Sequence, residues 1–197
     1  MAHAEPLPDL AHRDVPSIEI AQGSLLFRSH RLSQDARHFG KARRYRFDDP
    51  EGEYGVLYAA HAQAGAFVET FLRFPVPTLL DRNDLASRGC AHLELARALQ
   101  LVPLHSHHLV PLGATAQVTH GPENAYDLPR AWSRAIHEHP ARFDGIEYRS
   151  RHDDSALCCA LFERADDALI VTDASTAWMA DSVTLGRLLD RYKISLA

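Results

Sequence analysis

Three residues between positions 44 and 70 carry side chains suited to chemistry on a nucleotide. Arg46, in the stretch RYRFDDP, can hold a phosphate through charge-assisted hydrogen bonds. Tyr58 offers a flat, amphipathic ring against which a sugar or a base can pack. Glu69 supplies an anion that can stabilise positive charge developing in a transition state. These groups predict a site for chemistry at the ribose of a nucleotide.

The three residues fall on three consecutive elements. Arg46 lies in a polar stretch rich in Asp, Pro and Gly, which predicts a loop. Tyr58 lies in a short apolar run over residues 56–60, which predicts a strand. Glu69 follows in a segment of helical periodicity over residues 65–74. Because a loop, a strand and a helix in succession can converge on one cleft, we expect the three side chains to meet there.

The predicted helix over residues 65–74 carries an apolar stripe that indicates docking on a sheet. Phenylalanines recur at positions i, i+4 and i+7, namely Phe67, Phe71 and Phe74. Glu69 is therefore expected to point away from the stripe. Gly65 and Ala66 lie one turn before it, and their small side chains leave room for a ligand beside the carboxylate.

The rest of the chain predicts strands and helices without a regular alternation, which favours an α+β fold. We expect strands at residues 25–30, 146–150, 156–162 and 168–172, and one or two more across residues 91–104, interrupted near Arg97. We expect further helices at residues 126–139 and 183–192. Residues 1–17 are polar and punctuated by proline, and predict a flexible N-terminal tail; residues 18–197 predict a single domain.

Four blocks of the sequence carry a resemblance to a known family. In order they are LFRSH at residues 26–30, RYRFDDP at 44–50, GVLYAAHAQAGAFVET at 55–70 and DGIEYRSRHDDSALCCALFE at 144–163. They resemble the RES-domain family, NAD-consuming toxins named for an arginine, a glutamate and a serine. Ser150 stands in the serine position. The chain departs from the family at Arg44 and Tyr45, where small residues usually precede the arginine.

The resemblance implies a fold similar to that of ADP-ribosyltransferases, with a split, bent β-sheet, flanking helices and an NAD-binding cleft. We expect cleavage of the bond between nicotinamide and ribose, which passes through a state resembling an oxocarbenium ion. Glu69 would stabilise that positive charge, while Arg46 together with Arg28 would grip the phosphates. Tyr58 would orient the nicotinamide ribose, and Ser150 would hydrogen-bond the substrate or hold Glu69 in place.

The acceptor of the ribosyl group is left open by the sequence. Water would make the protein an NAD glycohydrolase, inorganic phosphate as co-substrate would make it an NAD phosphorylase, and a protein acceptor would make it an ADP-ribosyltransferase. NAD is consumed in each case, so no bound cofactor is expected. No G-x-G-x-x-G turn supports hydride transfer, and no G-x-S-x-G elbow supports Ser150 as a nucleophile.

The resemblance also implies partners. Toxins of this family are commonly neutralised by a separately encoded antitoxin of the Xre type, whose C-terminal segment can block the NAD cleft. They often self-associate, so a homodimer is a further expectation. These partners follow from the resemblance alone.

Composition limits the other function classes. The formal charge of −5 argues against bulk attraction to nucleic acid or to anionic membranes. The three cysteines form no spaced framework, and neither a leader nor a membrane-spanning run is visible. We therefore expect a cytoplasmic protein without direct contact to membrane or nucleic acid.

Two alternatives to NAD chemistry are weaker. The H-x-H-H cluster of His105, His107 and His108 suggests a zinc hydrolase, but the sequence lacks H-E-x-x-H and paired cysteines that would complete a ligand set. No metal is therefore expected. The basic run over residues 37–46 suggests a nucleic-acid-binding module, but few aromatic side chains interleave with it.

Overall fold

A computed structural model describes residues 5–73, 78–121 and 125–197, which form a mixed α+β domain around a strongly curled sheet. The strands are β1 (Ile18–Ile20), β2 (Leu25–Arg31), β3 (Val56–Ala60), β4 (Leu79–Leu80), β5 (Arg88–Leu95), β6 (Leu99–Pro103), β7 (Gly145–Arg149), β8 (Leu157–Phe162), β9 (Leu169–Ala177) and β10 (Ser195–Leu196). The α-helices are α1 (Gln63–Phe71), α2 (Arg82–Ala86), α3 (Leu109–Leu112), α4 (Gln117–His120), α5 (Asp127–His137) and α6 (Ser182–Tyr192).

The main sheet is split between β2 and β3. Its strand order is β1-β6-β7-β8-β3-β2-β5-β9, and its neighbours run antiparallel except for the parallel pair of β6 and β7. Within the described residues, β2 and β3 pair only at Phe27 and Ala60, whereas β2 pairs with β5 along its whole length. The two halves of the sheet are thus joined at a single position, and beyond it the strands leave space between them.

Both faces of the sheet are apolar, and alternation along each strand assigns its residues to one face or the other. On β3, Val56 and Ala60 belong to the core beneath α1, while Leu57 belongs to the core on the opposite face. On β7, Ile146 and Tyr148 point to the α1 face. Tyr58 lies on this face as well, half-buried against the same core.

Helix α1 docks on the sheet through the phenylalanine stripe predicted from the sequence. Phe67 is fully buried and Phe71 nearly so, and both rings meet Trp178 edge to face. Phe74 lies outside the described residues. The helix approaches β3 so closely that a Cβ on Gly65 would stand 2.8 Å from the Cβ of Ala60. Glycine at this position therefore determines how closely α1 can pack against β3.

Most predicted elements are found with small shifts of their ends. The interruption expected near Arg97 separates β5 from β6, where the Arg97 guanidinium pairs with Asp144 and Asp167 at 2.9 Å each. The last long strand, β9, extends to Ala177, beyond the end predicted at residue 172. Its extension is stabilised by pairing of Gly89 with Ala177 and of Cys90 with Thr176.

The described part of the N-terminal segment, residues 5–17, differs from the flexible tail expected over residues 1–17. Leu10 and Val15 are 3% and 7% exposed and belong to the core beneath α1, and a short 3-10 helix spans Leu10–His12. The first strand spans Ile18–Ile20, at the start of the predicted domain, whereas the sequence predicted its first strand only at residues 25–30. Two isolated apolar side chains thus hold a polar segment against the domain, because burying them removes apolar surface from water.

No helix in the described part of the chain is both long and apolar enough to cross a bilayer.

Candidate active site

A cavity of about 500 Å³ occupies the split in the sheet. One side is β2, the other is β3, and α1 with the loop before β3 completes the wall. Four residues predicted from the sequence line it together: Arg28, Arg46, Tyr58 and Glu69. The fifth, Ser150, lies directly behind Glu69 and is fully buried.

Glu69 is held in place by two hydroxyl groups. Ser150 Oγ donates to Glu69 Oε1 at 2.5 Å, and Tyr148 Oη reaches Glu69 Oε2 at 3.4 Å. The backbone N–H of His152 donates in turn to Ser150 Oγ at 3.1 Å. Burial, followed by the charge of Glu69, raises the pKa of Tyr148 well above its ordinary value, so the phenol stays a donor. The carboxylate is therefore oriented by two neutral hydroxyl groups.

Asp48 organises the loop that carries Arg46. Its Oδ2 accepts hydrogen bonds from the backbone N–H groups of Arg44 and Tyr45 at 2.8 and 3.0 Å. Its Oδ1 accepts from Tyr58 Oη at 2.9 Å, and Tyr58 Oη accepts from the N–H of Phe47. Asp48 is 1% exposed, so these bonds satisfy a buried charge. The loop is thereby fastened to β3.

The network fixes what Tyr58 can offer to a ligand. Burial first, and the neighbouring Asp48 carboxylate second, raise the pKa of Tyr58 well above its ordinary value. The hydroxyl remains protonated and donates to Asp48. Because its hydroxyl is engaged within the protein, what Tyr58 can offer a ligand is its ring.

Two arginines bring hydrogen-bond donors without protein acceptors into the cavity wall. Arg46 is 6% exposed, and its Nε and Nη1 have no hydrogen-bond partner among the described residues. The same holds for Nη1 of Arg28. Burial lowers the pKa of Arg28 to about 10, which leaves it charged at neutral pH. Buried donors without acceptors are costly, and an anion in the cavity would supply the acceptors.

The cavity is strongly basic although the whole chain is acidic. Among the lining residues that the structure describes, two carboxylates face seven arginines, which are Arg28, Arg31, Arg44, Arg46, Arg73, Arg88 and Arg151. Low-dielectric walls of one charge sign concentrate oppositely charged ligands. The site is thus suited to a phosphate-bearing molecule.

Four further residues at the site were not singled out from the sequence: Asp48, Arg73, Tyr148 and His152. Tyr148 stands two residues before Ser150 on a predicted strand, so the period of two could have placed both on one face. Burial lowers the pKa of His152, against the opposing pull of Glu69. Helical spacing places Arg73 one turn from Glu69, whereas no local pattern indicated that His152 would line the cavity.

The three histidines considered for zinc lie side by side but make other contacts. The ring centroid of His108 is 3.9 Å from that of His107 and 5.8 Å from that of His105, and His105 contacts Glu147 at 2.9 Å. Across residues 5–73, 78–121 and 125–197, no group of three or more His, Cys, Asp or Glu side chains is arranged to hold a metal ion. The metal-hydrolase alternative therefore gains no support.

The basic run over residues 37–46 is partly engaged by the protein itself. Arg37 pairs with Asp166 at 2.7 Å and Lys41 with Glu163 at 2.8 Å. Other members of the run line the cavity, namely His38, Gly40, Ala42, Arg44, Tyr45 and Arg46. The run thus forms part of the loop that enters the site.

Comparison with known proteins supports the fold and shows the family. The chain is similar to the MbcT toxin in the crystal structure of the M. tuberculosis MbcT–MbcA toxin–antitoxin complex, with a TM-score of 0.62 over 82% of this chain and 88% of that one, at 12% identity. That toxin has an ADP-ribosyltransferase-like fold, so the predicted fold class is confirmed. No curated protein matches the chain. The model of the RES domain matches residues 25–181, which contain all five predicted site residues. The chain therefore belongs to the RES-domain family.

Proposed function

We propose that this protein degrades NAD by cleaving the N-glycosidic bond between nicotinamide and ribose. One observation carries the proposal: the Glu69 carboxylate, fixed by Ser150, shares a cavity with the unpartnered donors of Arg28 and Arg46. A ligand suited to this arrangement has phosphates for the arginines and a centre that becomes positive beside the carboxylate. NAD combines a pyrophosphate with a ribose that bears a cationic leaving group.

The chemical step needs little more than these groups. As the bond breaks, its electron pair goes to the pyridine nitrogen, so nicotinamide leaves as a neutral molecule and needs no proton. Positive charge appears on the ribose, as in glycoside hydrolysis. Glu69 stabilises this charge in a site where few water molecules screen it. The arginines bind the pyrophosphate and hold the ribose against Glu69.

The acceptor decides the product. Water gives ADP-ribose, whereas inorganic phosphate gives an ADP-ribosyl phosphate in which a phosphate oxygen is bonded to the anomeric carbon. The excess of arginines in the cavity provides anchoring charge for a phosphate in addition to the pyrophosphate of the substrate. Transfer to a protein side chain would use the same groups with a different nucleophile.

The family and the fold suggest a biological role. We propose that the protein is the toxin of a toxin–antitoxin pair, because it belongs to the RES-domain family and its fold resembles a toxin solved with its antitoxin. A separately encoded antitoxin, of the Xre type by resemblance, would be its partner, and self-association as a homodimer is a second proposed contact. Both are tested by co-expression followed by measurement of the mass of the complex.

The decisive experiment is incubation of the purified protein with NAD, with and without inorganic phosphate. Release of nicotinamide is followed by chromatography, and the ribosyl product is identified by mass spectrometry. We expect nicotinamide release that is abolished in Glu69→Gln, and a product mass that reports water or phosphate as acceptor. NAD that stays intact under both conditions would refute the proposal.

A further inference from the structure

The rim of the cavity carries an aromatic surface that the proposed chemistry at its floor leaves unused. The floor is buried, since Arg46, Tyr148 and Ser150 are at most 6% exposed. Tyr45 is 42% exposed, the most of any aromatic residue among the described residues that line the cavity, and Tyr126 lines the cavity too. An open aromatic ring at the mouth of a basic cavity is a surface for a planar group.

The backbone on both sides of the Tyr45 ring is fixed. Its N–H donates to Asp48, and its carbonyl accepts from Arg130 Nε on α5 at 3.3 Å. Arg130 also donates from Nη2 to the carbonyl of Arg43 at 2.6 Å, while its guanidinium lies 5.7 Å from the ring centre of Tyr126. One side chain thus ties together the two segments that carry the rim tyrosines, so the surface is formed before a ligand arrives.

Tyr45 stays 42% exposed although two side chains contact its ring. Tyr58 meets it in an edge-type contact, with ring centroids 5.5 Å apart and an angle of 67° between the planes. Over the ring lies the guanidinium of Arg73, 5.1 Å from the centroid. Arg73 is exposed, and its Nε donates to the backbone carbonyl of Glu69. A flat, cationic group thus packs over the ring, and because Arg73 is exposed its side chain can move beside a base that stacks there.

We propose that Tyr45 is the stacking platform for the adenine base of the substrate, with Arg73 beside it. The inference rests on the proposed NAD chemistry, because it assigns the second base of that dinucleotide to the rim once the nicotinamide riboside occupies the floor. Tyr45 then sets specificity: it distinguishes molecules that carry a purine base from those that carry only phosphate. Bases stack on aromatic rings whatever their hydrogen-bonding edge, so recognition is by the ring face.

Equilibrium binding tests the proposal without requiring turnover. The probes are ADP, which has the adenine and a diphosphate, and inorganic pyrophosphate, which lacks the base; their dissociation constants are measured by calorimetry. Tyr45→Ala is expected to weaken ADP binding about tenfold, in the range that removal of a stacked aromatic gives, and to change pyrophosphate binding less than about twofold. Tyr45→Phe, which keeps the ring, is expected to retain ADP binding.

The matched control is Leu32→Ala, which shortens a side chain of similar exposure, 44%, outside the cavity lining. It should leave both constants unchanged. Equal weakening of ADP and pyrophosphate by Tyr45→Ala would show that the ring only supports the loop, and unchanged ADP binding would place the base elsewhere; either result overturns the platform. ADP binding that depends on Tyr45, in a protein that leaves NAD intact, would keep the platform and remove the proposed reaction.

Discussion

Two carboxylates reach opposite faces of the same sheet in different electrostatic settings. Glu69 meets the α1 face, where neutral hydroxyl groups of Ser150 and Tyr148 orient it. Glu147 directly precedes Tyr148 on β7 and pairs with Cys159, so its side chain points to the other face of the sheet. There, Nε2 of His61 and Nε2 of His105 contact its two oxygens at 2.7 and 2.9 Å.

The difference separates a carboxylate available for chemistry from one used for structure. Burial alone would raise the pKa of Glu147, but the hydrogen bonds from His105 and His61 outweigh it and lower the pKa to about 2. Both of its oxygens are already engaged by its partners, and it is 5% exposed. Glu69 has donors without a full positive charge and an open cavity in front of it. A transition-state cation can therefore use Glu69 and not Glu147.

The strongest test of this comparison exchanges each carboxylate for its amide. Glu69→Gln keeps the shape and one acceptor oxygen but removes the charge, so we expect kcat for nicotinamide release to fall by about 10²–10³. KM should change little, because the charge acts in the transition state. Steady-state kinetics on NAD measures both. Comparable loss of kcat in Glu147→Gln would mean that the two carboxylates contribute equally to the reaction.

The next effect in size concerns Arg46. Lysine in its place keeps the charge but loses the planar fork, so Arg46→Lys should lower kcat/KM for NAD by about 10–100-fold. Arg37→Lys is the matched control, because Arg37 pairs with Asp166 outside the cavity lining. The control should keep wild-type kinetics. Full activity of Arg46→Lys would mean that point charge alone suffices at this position.

A smaller effect is expected for Ser150, which acts through Glu69. Ser150→Ala removes the 2.5 Å hydrogen bond and lets the carboxylate rotate away from its position. We expect kcat to fall about tenfold, the cost of one hydrogen bond to a charged group, while KM stays within about twofold. A rise in KM with unchanged kcat would show instead that the serine binds the substrate directly.

The elements of the site were predictable from the sequence because their signals are local. The short apolar run of β3 indicates a strand, and the phenylalanines of α1 recur at helical spacing. These two patterns place Tyr58 on a strand and Glu69 on a helix. That both meet Arg28 in the split of the sheet depends on the strand order, which no period in the sequence encodes. The meeting was expected through the resemblance of four blocks to one family.

Other features could not be predicted because they join distant segments. Glu147 receives its histidine partners from positions 86 and 42 residues earlier in the chain, and only the curled sheet brings them together. Leu10 and Val15 are likewise buried by a core formed from later elements, so their polar surroundings suggested a tail. Local polarity is a poor guide where one or two apolar residues are enough to dock a segment.

The smallest expected effect concerns the stability of the fold, to which Glu147 contributes, and it appears only at acidic pH. The folded-state pKa of Glu147, about 2, lies below the ordinary 4.5, so its charge stabilises the fold fully above pH 4.5 and loses this contribution as the pH falls toward 2. The contribution is on the order of 3 kcal/mol. Chemical denaturation between pH 7 and pH 2 should show that wild type loses its advantage over Glu147→Gln across this interval. Because Glu147 lies outside the cavity lining, the variant should keep kcat at neutral pH. A constant stability difference at all pH values would show that the two histidines do not lower the pKa of Glu147. The two carboxylates would then differ only in whether they face the cavity.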